Sequence, residues 1–116
     1  MDLTHKAYNR VDVIVLKGRL AADTKGDLEA KINEIYDAGR HRIVLDLEKL
    51  EYISSPGLRV LIEARKRARE WKLSEMDRGD VRITHLPPRI REVFDLTGFT
   101  PLFQIFDDLV EAVASF

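Results

Sequence analysis

Two consecutive serines, Ser54 and Ser55, stand just ahead of Pro56 and Gly57 in the segment Leu50-Glu51-Tyr52-Ile53-Ser54-Ser55-Pro56-Gly57-Leu58-Arg59-Val60-Leu61. A hydroxyl at a helix start can accept a hydrogen bond from an amide one turn in. It can also carry a phosphoryl group, whose charge a helix N-terminus tolerates. Pro56 is pre-shaped for a first helical position, so the spacing predicts Ser55 as the N-cap, at the surface. Serine before proline is also a common cap with no further role. A hydrolytic serine needs a Gly-x-Ser-x-Gly elbow, but the residue two before Ser55 is Ile53. No acid and histidine order can be assigned around it, and the sequence predicts no catalytic residue.

Other chemistry has less support. His5, His41 and His85 are not spaced at i and i+4 on one helix, and no carboxylate cluster accompanies them in sequence, so no metal site is predicted. No glycine-rich phosphate loop is present, and no cofactor is expected. The run Ala64-Arg65-Lys66-Arg67-Ala68-Arg69-Glu70-Trp71-Lys72 is the one basic patch, and it reads as a solvated helix face whose last-turn cations complement the helix dipole. Its rival reading, a nucleic-acid contact, predicts steep salt dependence.

The elements that must position Ser55 follow from hydrophobic periodicity. Val11 to Lys17 (VDVIVLK) is nearly continuous in apolar character, as in a strand buried on both faces, and Gly18 is expected to end it. Thr24 with Asp27 resembles a capping box, Leu28, Ile32, Ile35 and Tyr36 recur at helical spacing, and Gly39 closes that helix. Arg42 to Leu47 (RIVLDL) is a second buried strand, parallel to the first because a helix connects them. A short loop then leads to a helix from about Pro56 to Trp71. The serines thus fall at the C-terminal end of a parallel strand, where open α/β sheets place ligand sites.

Val81 to Leu86 is a further strand, Pro88 opens a helix closed by Gly98, and Phe103 to Phe106 is a short strand. Asp107 or Asp108 caps a last helix bearing Leu109, Val110, Val113 and Phe116, and Leu3 to Tyr8 is an edge strand. Lys72 to Asp80 reads as a surface loop. Val15, Leu45, Leu47, Leu61 and Phe94 are expected to share one core. The chain's 116 residues, 45% of them hydrophobic, suit a single domain over residues 1–116 with one core. A net charge of -1 provides no field to draw the whole molecule to nucleic acid or an anionic membrane. The absence of cysteine fits a reducing compartment, and neither a signal peptide nor a spanning segment is read, so the expected location is the cytoplasm.

VLDL, a short spacer and then YISSPGLRVL resemble the signature of the STAS family, whose bacterial members include the anti-sigma-factor antagonists. The resemblance runs from about Tyr8 to the end, through Gly18-Arg19-Leu20, Thr24 to Leu28, and Val93-Phe94-Asp95-Leu96-Thr97-Gly98-Phe99. It implies an α/β fold with a mixed four- to five-stranded sheet and about four helices. Carried over by position, the family phosphoacceptor falls on Ser55, and a partner surface on Ala21, Asp23, Ser54, Pro56, Gly57 and Arg59. Pro56 stands where serine or alanine is usual, and Ala21 where aspartate is common. The partners implied are a GHKL-type serine-kinase anti-sigma factor that binds the dephosphorylated chain, and a metal-dependent serine phosphatase that resets it. No direct contact with nucleic acid or membrane is implied. The alternative within the family is a non-switching subunit of a stressosome-like or lipid-transport ABC complex, with Ser55 merely capping.

Overall fold

The unbroken apolar runs are explained by a sheet covered on both faces. The computed structural model describes residues 1–74 and 77–116, Leu73 and Asp77 by backbone only. β1 (Asp2–Ala7) pairs antiparallel with β2 (Asp12–Leu20), which runs parallel to β3 (Arg42–Ile53). β6 (Asp80–Thr84) and β7 (Ile105–Phe106) add in parallel, giving a five-stranded sheet in the order β1-β2-β3-β6-β7. Alternate residues of the central strands enter different cores. Ile14, Leu16, Ile43, Leu45, Leu47 and Ile83 pack with α1 (Lys25–Asp37), α2 (Ser55–Glu70) and α3 (Pro88–Thr97) through Leu28, Leu61 and Phe94. Val11, Val13 and Val44 pack on the other face with Ala112 of the short α4 (Leu109–Ala114). Val15 packs against this second core and not the first, because strand side chains alternate. Leu45, Leu47, Leu61 and Phe94 share one core as expected.

Both central strands outrun their apolar segments. Gly18 does not end β2; it adopts φ 96 within the strand, and β2 continues to Leu20 beside an extended β3. Register shifts between Val15 and Lys17 and between Gly18 and Arg19 accommodate this. Each shift places an extra residue in β3 opposite β2, and such bulges bend the strand that carries them. The loop expected after Leu47 is therefore strand, carried to Ile53 by residues whose burial no longer alternates. This extension carries the end of the sheet to the serines.

Several ends differ locally. Thr24 precedes α1 but makes no side-chain cap; its hydroxyl accepts from the Ala21 N–H at 2.9 Å and donates to the Arg19 carbonyl at 2.8 Å, so the turn takes it. The expected loop after α2 holds a hairpin of β4 (Lys72–Ser74) and β5 (Asp77–Arg78), its residues 75–76 lying outside those described. Pro88 opens α3 and Gly98 (φ 77) closes it, as the sequence predicts. The strand expected at Phe103 to Phe106 is the two-residue β7, preceded by a 3-10 turn at Thr100–Leu102. Asp108 caps α4 by accepting from the Val110 N–H at 2.7 Å, and Val110 is exposed.

Buried carboxylates at Asp12 and Asp80 brace the frame. Asp12, 1% exposed, accepts from Arg40 Nε at 2.7 Å and meets His5 Nε2 at 2.8 Å. Asp80, 2% exposed, gathers Arg82 Nε at 3.0 Å, Arg69 Nη1 at 3.6 Å and Arg65 Nε at 3.9 Å. Arg67 donates to Asn33 Oδ1 at 2.7 Å and lies over the Tyr36 ring. The basic run is thus not simply a solvated face: Arg65, Arg67 and Arg69 tie α2 to β6 and α1. His41 is stacked between Tyr36 and Trp71, at ring-centroid separations of 5.1 and 4.9 Å, and burial there lowers its pKa.

Leu61 is fully buried on the α2 face that meets the sheet. Leu61→Ala is expected to cost about 2 to 5 kcal/mol in urea unfolding, as for other buried leucines. A loss below roughly half a kcal/mol, the size usual at surfaces, would contradict this packing.

Candidate functional site

A single residue, Ser54, joins the end of β3 to the start of α2. Its N–H donates to the Leu20 carbonyl at 2.9 Å, fastening the junction to the last residue of β2. Its side chain does the capping: in extended conformation (φ -92, ψ 171), Ser54 Oγ accepts from the Gly57 N–H at 3.2 Å. The expected N-cap moves by one residue. Ser54 is the cap, Ser55 the first helical residue and Pro56 the second. The reason is reach: Ser54 is extended and lies three residues before the amide it satisfies, whereas Ser55 is already inside the turn.

Ser55 is thereby left exposed with its hydroxyl free of capping duty. Among the described residues, no histidine or carboxylate is hydrogen-bonded to either serine hydroxyl. The electrostatics favour an anion at Ser55. The first turn of α2 carries no acidic residue, and Arg59 lies four residues along, on the same helix face as Ser55. The positive end of the helix dipole acts in the same sense.

The rest of the expected surface gathers around this point, apart from one residue. Ala21 and Thr24 form a turn in which the Ala21 carbonyl accepts from Thr24 and Lys25 N–H groups at 3.1 and 2.8 Å; Ala21 is half-buried and Asp23 exposed. Pro56 and Arg59 are exposed and line a groove between α1 and α2. Gly57 is buried, so it contributes close approach and no contact surface. A methyl group there would stand 2.5 Å from the Leu20 carbonyl oxygen and 2.9 Å from Leu20 Cγ.

Sequence reasoning missed the α1 side of the groove, where Lys25, Glu29 and Asn33 face Arg59, Glu63 and Arg67 of α2. Charged residues one turn apart on both helices were the available signal. It also missed Arg19, whose guanidinium lies 4.2 Å from the ring centroid of the half-exposed Tyr52 across β2 and β3. Among the described residues, no helix is long and apolar enough to cross a membrane.

The family model described as the STAS domain matches residues 3–112. The chain is 34% identical over 116 residues to BtrV of Bordetella bronchiseptica, a protein named as a candidate anti-sigma factor antagonist, with 100% of this chain and 95% of that protein covered. Its fold is similar to that of an anti-sigma factor antagonist from Mycobacterium paratuberculosis, with a TM-score of 0.81, 22% identity and coverage of 98% and 92%. It is also similar to the Bacillus cell fate determinant SpoIIAA in its phosphorylated form, with a TM-score of 0.71, 20% identity and 98% of both chains covered. At these identities the two structures speak to the fold alone.

Because the Leu20 contact is backbone, it cannot swing aside, and Gly57→Ala must lift the first turn of α2 from the end of β2. Overpacking of this kind is expected to cost about 1 to 3 kcal/mol. Urea unfolding checks it, and a variant as stable as the parent would show that the two elements are not in such close contact.

Proposed function

This chain belongs to the STAS family, and on that premise we propose that it acts as an anti-sigma-factor antagonist in a bacterial partner-switching pathway. Unphosphorylated, it binds a serine-kinase anti-sigma factor of the GHKL type in the cytoplasm. Phosphorylation of Ser55 releases it, and a metal-dependent serine phosphatase restores it. The protein is ligand and substrate in this cycle, not catalyst. The observation that carries the reading is the state of Ser55: exposed, first in its helix, and relieved of capping by Ser54. The likeness to the Bordetella protein over the full chain supports the same reading.

The physics of the switch follows from that position. Transfer of the ATP γ-phosphoryl group to Ser55 Oγ, with release of ADP and the hydroxyl proton, adds about -1.5 to -2 charges. At the start of α2 these charges meet amide donors and the positive end of the dipole, so the fold accommodates them. The effect falls on binding. A partner closed over Ser55 and the turn at Ala21 to Thr24 has to bury or repel the new charge. Moving from mostly bound to mostly free requires differential binding of roughly 5 kcal/mol. A dianion within an interface supplies an effect of that kind. Ala21, Asp23, Ser54, Pro56 and Arg59 form the contact surface, with Gly57 setting its level.

Incubation with the cognate kinase and ATP is expected to add one phosphoryl group, located on Ser55 by mass spectrometry. Ser55→Ala blocks it without removing the cap, and Ser55→Asp weakens kinase binding. Ser54→Ala retains modification but loses about 1 kcal/mol of stability with the cap. A phosphate on Ser54 or Ser74, or none with a verified partner kinase, overturns the assignment.

A further inference from the structure

A second cluster lies away from Ser55, at the bulge in β3. The register of β2 and β3 shifts between the pairs Val15 with Asp46 and Lys17 with Lys49, which places an extra residue in β3. Bulges re-aim side chains. Here Asp46 Oδ1 accepts the Glu48 N–H at 3.2 Å, which fixes the carboxylate, and Asp46 is only 8% exposed. His85 directly follows β6 and donates its own N–H to the Phe106 carbonyl at 3.2 Å. Its Nδ1 lies 3.1 Å from Asp46 Oδ1 and 3.8 Å from Glu48 Oε2. One donor atom from each of the three residues falls within 4.8 Å of the others.

An independent observation points into the same place. Thr84 pairs with Asp46 across the parallel β3 and β6, so the two side chains leave the same face of the sheet. Thr84 is fully buried, and its hydroxyl has no hydrogen-bond partner among the described residues. A buried hydroxyl without a partner is costly, and a water on an adjacent ion would satisfy it.

We propose that Asp46, Glu48 and His85 bind one divalent first-row transition ion, with Thr84 bonding to water on that ion. Ligand bonds near 2.0–2.2 Å place neighbouring donor atoms about 3 to 3.5 Å apart, close to the spacing already present. The remaining closure falls to Glu48, whose side chain is 68% exposed and free to turn inward. One imidazole nitrogen with two carboxylates selects zinc or cobalt over magnesium and calcium, which favour all-oxygen sites. The ion takes the place of the proton on His85 Nδ1, which passes to solvent or to Nε2. Spacing in sequence could not show the site, because its ligands come from neighbouring strands and not one helix.

The test titrates the untagged chain with Zn2+ by calorimetry and with Co2+ by visible absorption. One equivalent is expected to bind, with a rise in melting temperature that Mg2+ at the same concentration does not produce. Glu48→Gln and His85→Asn are each expected to weaken binding at least tenfold, while Glu51→Gln, on the same strand, leaves it unchanged. Asparagine suits position 85 because His85 has φ 54, a conformation asparagine tolerates. Glu48 is exposed, so its variant remains readable even if His85→Asn fails to fold. Absence of binding, or equal affinity in the parent and Glu48→Gln, overturns the proposal.

Discussion

The contact between the end of β2 and the first turn of α2 governs the rest of the site. Leu20 offers its carbonyl to the Ser54 N–H, and the helix then passes so close that only glycine fits at position 57. Two consequences follow from this one approach. Ser54 is held extended, so its hydroxyl turns inward to cap; Ser55 is carried one residue further and faces outward. The Ala21 to Thr24 turn, which continues from Leu20, is brought beside it. A partner closed over Ser55, as proposed, would therefore meet the turn as well, because Leu20 fastens the two together.

Much of this was legible in the sequence, and what was not has identifiable causes. Strand, helix, strand order and the burial of Leu45, Leu47, Leu61 and Phe94 follow from periodicity, which reports burial directly. The extension of β2 past Gly18 and of β3 past Leu47 was not legible. Beyond those points the strands carry Arg19, Glu48, Lys49 and Glu51, and a partly exposed bulged strand has no clean alternation to detect. The N-cap was misplaced by one residue because serine suits both positions and proline is tolerated throughout the first turn. Val15 was assigned to the wrong core because a run apolar on both faces does not say which face meets which layer. The basic run of α2 looked solvated because Asp80, which gathers Arg65 and Arg69, lies at the start of a distant strand.

The ion pairs that brace the fold lie apart from the Ser55 surface proposed to meet a partner. Arg65, Arg69 and Arg67 of α2 are committed to Asp80 and Asn33, away from the α2 N-terminus, where Arg59 and Lys25 line the groove beside Ser55. The Asp46, Glu48 and His85 cluster is anchored on the bulge that lets β3 reach Ser54, so an ion there would brace the strand without occupying the partner surface. On the proposed reading, modification at Ser55 would change binding while the layers behind it stay fixed.

That claim is tested most directly by comparing amide NMR spectra of the Ser55-phosphorylated and unmodified chain, together with their melting temperatures. The account predicts shifts confined to residues 19–25 and 52–60 with little change in melting. Shifts spread through β6, α3 and the core, or a marked loss of stability, would show that the phosphate acts by remodelling the fold and would contradict it.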